Sequence, residues 1–160
     1  MPLFLFVLFA CVGCDQTTKT IARKTLAGSE PISFLSDVFR LQYAENPGAF
    51  LGLGAGTPDH LRYWVFTVFV GILLVGLLTY LIASKNMAMA GVVGISLVFS
   101  GGIGNLIDRI CNDGRVIDFM NMGIGPLRTG VFNVADIAIS AGCVMVLALS
   151  VKKQRGNVQH

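Results

Sequence analysis

The sequence predicts an all-α integral membrane protein, four transmembrane helices with a small β-sheet outside the membrane. Three observations predict it. Of 160 residues, 54% are apolar and only 13% charged, where an ordinary soluble domain carries roughly 25% charged residues. Mean hydropathy is +0.71. Three runs of 22, 22 and 23 residues, Tyr63–Ser84, Asn86–Ile107 and Thr129–Val151, carry no charge except Asp136, and about 20 apolar residues cross a bilayer as a helix. An open sheet edge is not tolerated in lipid, so these runs read as helices. The composition excludes a soluble globular domain, a disordered tail and a collagen-like repeat. A net charge of +3 with no clustered basic face excludes nucleic acid as a partner. Four cysteines in so apolar a chain do not make a disulfide scaffold.

The first span is the least obvious. Met1–Cys14 is uncharged but covers only about 21 Å as a helix. A secretory leader would need a basic start and an Ala-x-Ala site, and neither is present. Leu8-Phe9-Ala10-Cys11 and Val12-Gly13-Cys14 loosely resemble lipoprotein-type leaders. The favoured reading is a span that continues through Asp15 to about Ala22, and the missing basic start points to a start site placed too late. The spans are then approximately 2–22, 62–84, 87–107 and 131–151, with outer segments 23–61 and 108–130, in a single membrane domain 1–160. In the first outer segment Phe39–Tyr43 alternates apolar and polar like a half-buried strand, and Asn46-Pro47-Gly48 ends it as a turn. Arg115–Phe119 in the second is a candidate strand.

Four spans put both termini on one side. That side holds Lys85, Lys152, Lys153 and Arg155; the other holds eight basic residues but also all nine acids. The net balance places both termini in the cytoplasm.

Asn105-Leu106-Ile107-Asp108 ends the third span and Asn133-Val134-Ala135-Asp136 begins the fourth. Residues three apart share a helix face, and antiparallel spans bring both pairs to one depth. Asp118 lies on the segment between them. Carboxylates at membrane depth usually face a bundle interior and mark function. The plainer reading is that Asn105 and Asn133 tie helices together and that Asp108 forms a structural ion pair with Arg109. The only histidines are His60 and His160, no His-Glu-x-x-His run exists, and no metal or other cofactor is expected. No Gly-x-Ser-x-Gly elbow is present, and a cysteine nucleophile lacks a histidine partner. Two close carboxylates remain. They cannot both ionise, so one can take a proton from water while the other donates to the carbonyl under attack. Asp136 stands alone in an apolar helix. Asp118 sits among Val116, Ile117, Phe119 and Met120, which would raise its pKa, whereas Arg109 would keep Asp108 ionised.

Five segments in order now resemble one family, the bacterial lipoprotein signal peptidases (signal peptidase II). They are Asp15-Gln16-Thr17-Thr18-Lys19, Asn46-Pro47-Gly48-Ala49-Phe50 (one Ala where the family usually has two), Gly101 to Arg109, Val116-Ile117-Asp118-Phe119 and Phe132 to Asp136. The resemblance covers nearly the whole chain. It implies a membrane aspartic endopeptidase of the bacterial inner membrane that removes signal peptides from diacylglyceryl-modified prolipoproteins. It implies Asp118 and Asp136 as the catalytic pair, with Asn105, Arg109 and Asn133 lining and supporting the site. Asp15, Lys19, Asn46 and Gly48 match the outer rim, and Asp108 is structural. It adds an interfacial helix to the outer sheet. The expected partners are the lipid-modified substrate and membrane lipids, with the protein a monomer. Two other readings stand beside it. One is a small non-enzymatic subunit, proton-conducting or for assembly; the other is an intramembrane protease that cuts transmembrane helices.

Other features read as structural. Asp15 and Lys19, four apart, can pair on one helix face. Gly91, Gly94, Gly101, Gly102 and Gly104 let helices approach closely. Cys11-x-x-Cys14 has no second pair for zinc. Tyr63 and Trp64 stand where an interfacial aromatic belt would be, and Lys152, Lys153 and Arg155 read as an anchor near anionic lipid.

Overall fold

The computed structural model describes residues 1–48, 56–84 and 87–158, with side chains to Lys152. The elements are α1 (Pro2–Leu26), β1 (Ile32–Phe34), β2 (Phe39–Asn46), α2 (Asp59–Tyr63), α3 (Val70–Ala83), α4 (Met89–Cys111), β3 (Val116–Ile124), β4 (Leu127–Arg128) and α5 (Val134–Val158). A π-helical stretch, Trp64–Phe69, joins α2 to α3 without a break, so Asp59–Ala83 is one span of 25 residues. Among the described residues four helices are long and apolar enough to cross a membrane. The first does not stop at Ala22. It runs on to Leu26, carrying Asp15, Lys19 and Arg23 as part of the helix. Ala49, Phe50, Lys85 and the side chains of Lys153 and Arg155, which the sequence singled out, lie outside the described residues.

The bundle is centred on α4. Half of its apolar stretch is buried, against 22% or less in the other spans. Glycines permit this. A Cβ on Gly101 would stand 2.4 Å from the Ala135 carbonyl oxygen, and one on Gly142 2.5 Å from that of Gly94. Backbones of α4 and α5 therefore touch, the means by which helices associate in lipid. Gly102 faces α3 instead, where Leu74 fills the space. Phe4, Leu74, Leu81, Ile95 and Phe99 form the apolar core. Large apolar side chains on the far faces, Phe6, Phe9, Ile72, Val75, Val144 and Leu147, are exposed, as a lipid-facing surface requires.

A four-stranded antiparallel sheet, order β1-β2-β3-β4, covers one end of the bundle. The central pairing sets Ala44 opposite Asp118 and Asn46 opposite Val116, with a register shift between Leu41 and Ala44. Both expected strands are longer than their alternating patterns: pairing carries β2 on to Asn46 and β3 to Ile124, while Arg115 stays outside. The edge strands β1 and β4 have three and two residues, too few for a sequence period. The β1–β2 turn is left-handed at Leu35, Ser36 and Asp37 (φ 54, 54 and 71°). Asp37 latches it, accepting from Ser33 Oγ at 2.7 Å and from Arg40 at 2.6 and 2.5 Å, and pairing with Arg128 of β4 at 3.3 Å. The Arg40 bonds foremost hold its carboxyl well below the usual carboxylate range. The sheet seats on α1 through Phe119, Ala22 and Leu26, with Leu41, Tyr43, Met120 and Val134 around them.

Candidate active site

The first turn of α5 builds one half of the site. Asn133 stands just before the helix and its Oδ1 accepts the Asp136 N–H at 3.0 Å, while Asp136 Oδ2 accepts the Asn133 N–H at 3.2 Å. This is a reciprocal capping box, with Asp in the place usually held by Glu or Gln. It fixes the Asp136 carboxylate at the helix N-terminus, where the helix dipole favours negative charge. Asn105 of α4 adds a third bond, donating from Nδ2 to Asp136 Oδ1 at 3.0 Å.

Strand β3 builds the other half. Asp118 is 2% exposed, between buried Ile117 and Phe119. Its Oδ1 accepts from Asn133 Nδ2 at 2.6 Å and its Oδ2 from Asn46 Nδ2 at 3.0 Å. Burial raises its pKa to about 6; Asp136 adds repulsion, against the lowering effect of the Asn46 and Asn133 bonds. Asn133 therefore holds both carboxylates. The Phe132 backbone fixes it there, bonding to β3 at Phe119 and Met120.

A second buried cluster lies one layer down. Lys19 Nζ meets Asp15 Oδ2 at 2.8 Å, Asp108 Oδ2 at 3.0 Å and Asn105 Oδ1 at 3.0 Å. Asp15 and Lys19, expected at the outer rim, are each 1% exposed. Asp15 Oδ1 accepts the Ala135 N–H at 2.9 Å, a second cap for α5 supplied by α1. Gly104 permits this approach, since a Cβ there would stand 2.6 Å from Asp15 Oδ2. Asp108 Oδ2 accepts the Ile117 N–H at 2.9 Å and so anchors β3 beside Asp118. The ion-pair partner of Asp108 is Lys19 and not Arg109: adjacent helix residues point apart, and α1 supplies the cation. Gln16, not singled out as a site residue, donates to Asp15, to Asp108 and to the Gly104 carbonyl at 2.9–3.2 Å. Its spacing from Asp15 gave no signal of this, because the partners lie about 90 residues away on α4.

Arg109 faces the sheet end. Nη2 donates to the Gly48 carbonyl at 2.8 Å, Nη1 to that of Asn105 at 3.3 Å, and the guanidinium lies 5.9 Å from the Phe66 ring centre. Asn46 Oδ1 accepts the Gly48 N–H at 2.9 Å, an Asx turn that aims Nδ2 at Asp118. All ten residues singled out for the site thus fall in one connected region running from the Arg109–Gly48 contact through the two carboxylates to Lys19. Among the described residues no group of three His, Cys, Asp or Glu side chains is placed to hold a metal ion.

Four apolar helices around a buried pair of Asn-held carboxylates define a multi-pass membrane protein with a polar site at one end. Residues 7–152 match the family described as "Signal peptidase (SPase) II". The chain is 36% identical over 157 residues to a "Lipoprotein signal peptidase" of Syntrophus aciditrophicus (strain SB), covering 96% of each. It is 33% identical to one of Pelodictyon phaeoclathratiforme (strain DSM 5477 / BU-1), covering 92% of this chain and 89% of the relative. A solved bacterial membrane enzyme, determined by the in meso method at 2.3 Å, superposes with a TM-score of 0.82 at 25% identity, over 96% of this chain and 90% of that one. The chain belongs to the signal peptidase II family, and it is a peptidase.

Proposed function

We propose that Asp118 and Asp136 are the catalytic pair, and that they cleave signal peptides from diacylglyceryl-modified prolipoproteins just before the modified cysteine. The observation that carries this reading is the sharing of Asn133 by two buried carboxylates. Asp118, with a pKa near 6, is the partner that holds a proton and donates it to the scissile carbonyl. Asp136, whose carboxylate accepts two N–H bonds, takes the proton from the attacking water. A tetrahedral gem-diol forms; as the C–N bond breaks, the proton on Asp136 passes to the leaving nitrogen and Asp118 takes back a hydroxyl proton as the C=O bond re-forms. No covalent enzyme intermediate is needed. Asn105 and Asn133 orient the carboxylates. Arg109, Asn46 and Gly48 form the rim beside Asp118. Asp15, Lys19 and Asp108 are the buried support beneath.

The site lies at the sheet end, which we place on the outer face of the bacterial inner membrane. Both termini then lie in the cytoplasm, and the sheet with an interfacial helix roofs the site. The protein acts as a monomer. A substrate anchored by two acyl chains stays in the bilayer, at about 0.8 kcal/mol per buried CH₂, and enters sideways at the depth of the carboxylates. The test is cleavage of one precursor with and without its diacylglyceryl group by purified protein. Cleavage restricted to the lipidated form supports the reading. Equal cleavage of both forms contradicts it.

A further inference from the structure

We propose that the two hairpin tips of the sheet insert into the lipid interface beside the bundle and anchor the sheet there. The partner is the bilayer itself, and the proposal stands apart from the peptidase reading. The tips carry the three most exposed large apolar side chains among the described residues, Leu127 at 82%, Leu35 at 78% and Ile124 at 77%. All three are more open than Phe6 and Phe9, at 72% each, on the lipid-facing side of α1. Leu35 lies in the β1–β2 turn, and Ile124 and Leu127 flank the two-residue β3–β4 turn. Leu35 has a left-handed backbone (φ 54°), a conformation non-glycine residues seldom adopt. The two turns are held side by side. The Gly123 N–H donates to the Val38 carbonyl at 2.9 Å, and Arg128 Nη1 donates to the Asp37 carbonyl at 2.7 Å. One patch therefore forms from two separate stretches of chain. The charges beside it, Asp37, Arg40 and Arg128, pair with one another. Clustered apolar exposure of this kind marks a surface that meets another apolar phase or partner.

The path of β3 shows which. Three consecutive residues meet three helices. Asp108 of α4 accepts the Ile117 N–H, Asn133 at the start of α5 donates to Asp118, and Phe119 packs on Ala22 and Leu26 of α1. The strand thus runs across the end of the bundle and passes α1 last. Met120 still packs against the α1 seat. Four further residues carry the strand to Ile124, about 13 Å beyond. Little of α1 is buried, and Ile21, next to the seat residue Ala22, is exposed. At the level of the seat, α1 therefore still shows an apolar side chain to lipid. Chain carried past α1 at that level meets the boundary of headgroups and acyl chains, where apolar side chains bury about 5–10 Å deep. The same two strands carry Asn46 and Asp118, so the anchor also fixes the depth of that half of the site.

The test places tryptophan at the tips, Leu35→Trp in one protein and Leu127→Trp in another. Each also carries Trp64→Phe, so that the tip holds the only indole. Purified protein is reconstituted into phosphatidylcholine vesicles that contain phospholipid brominated either near the carboxyl end of one acyl chain or near its methyl end. Insertion predicts emission at shorter wavelength than in water and protection from iodide. It also predicts loss of intensity with bromine near the carboxyl end and a smaller loss with bromine near the methyl end. Emission that iodide quenches and neither lipid does overturns the proposal. Shielding from iodide and from both lipids overturns it as well, since a protein surface then covers the tips. Should both variants fail to fold, unmodified protein decides, reconstituted with a phospholipid that carries a photoactivatable group near the carboxyl end of its acyl chain. Labelling of peptides containing Leu35 or Ile124–Leu127 supports the anchor, and labelling confined to the spans overturns it.

Discussion

Asn133 meets the two carboxylates through different atoms, its side-chain amide donating to Asp118 and its backbone N–H to Asp136. Removing the side chain leaves the Asp136 N–H uncapped and Asp118 with one partner fewer. Asn133→Ala is expected to cost about 1–3 kcal/mol of stability, read as a lower melting temperature in detergent, and to lower kcat. Asp118 sets the pH dependence. Its carboxyl, near 6 when folded, is protonated below that value and loses its proton above it. Catalysis that needs this proton falls as pH rises through about 6, which a kcat/KM profile will show as a descending alkaline limb. The folded state also binds more protons than the unfolded chain between about pH 4 and 6, because the folded value is the higher one. Stability attributable to Asp118 is thus present at the acid side and lost as pH rises through that window.

At the scale of elements, one ammonium ties α1 to α4, and the two carboxylates it holds reach on to β3 and α5. Lys19→Met strips the counter-ion from Asp15 and Asp108, both buried. Breaking a buried pair in this way costs about 3–5 kcal/mol, and thermal unfolding of the variant will show whether it does. The glycines give a matched comparison. Gly101→Leu drives a side chain into the Ala135 carbonyl and Ile139, whereas Gly13 and Gly76 have nothing within 4 Å of a Cβ. Gly101→Leu is expected to destabilise by several kcal/mol, as overpacking does at its upper end. Gly13→Ala and Gly76→Ala are expected to be neutral or slightly stabilising.

At the scale of the whole molecule, the spans were legible because uncharged length is a strong signal in a membrane protein. Asp118 and Asp136 were legible because charge in apolar surroundings is rare. The burial of Lys19 between Asp15 and Asp108 was not, since its partners come from another helix and a one-helix pattern shows only the Asp15 spacing. Nor was the second role of Asn133-Val134-Ala135-Asp136 as a capping box, although an Asn three residues before an acid at a helix start is its signature. The edge strands escaped because two or three residues have no period. Orientation is a whole-molecule property too. A cysteine replacing exposed Glu30 at the sheet end should react with a membrane-impermeant maleimide applied from outside, and one at position 160 should not; the reverse pattern would invert the protein.

The most direct measurement compares purified wild type with Asp118→Asn and Asp136→Asn on a diacylglyceryl-modified precursor, after melting curves establish that all three are folded. Asn keeps the size of the side chain and removes its acid–base function. Two-carboxylate catalysis requires both variants to lose about 10²–10⁴ in kcat, the range for general acid–base groups. Near-normal cleavage by either folded variant would contradict it.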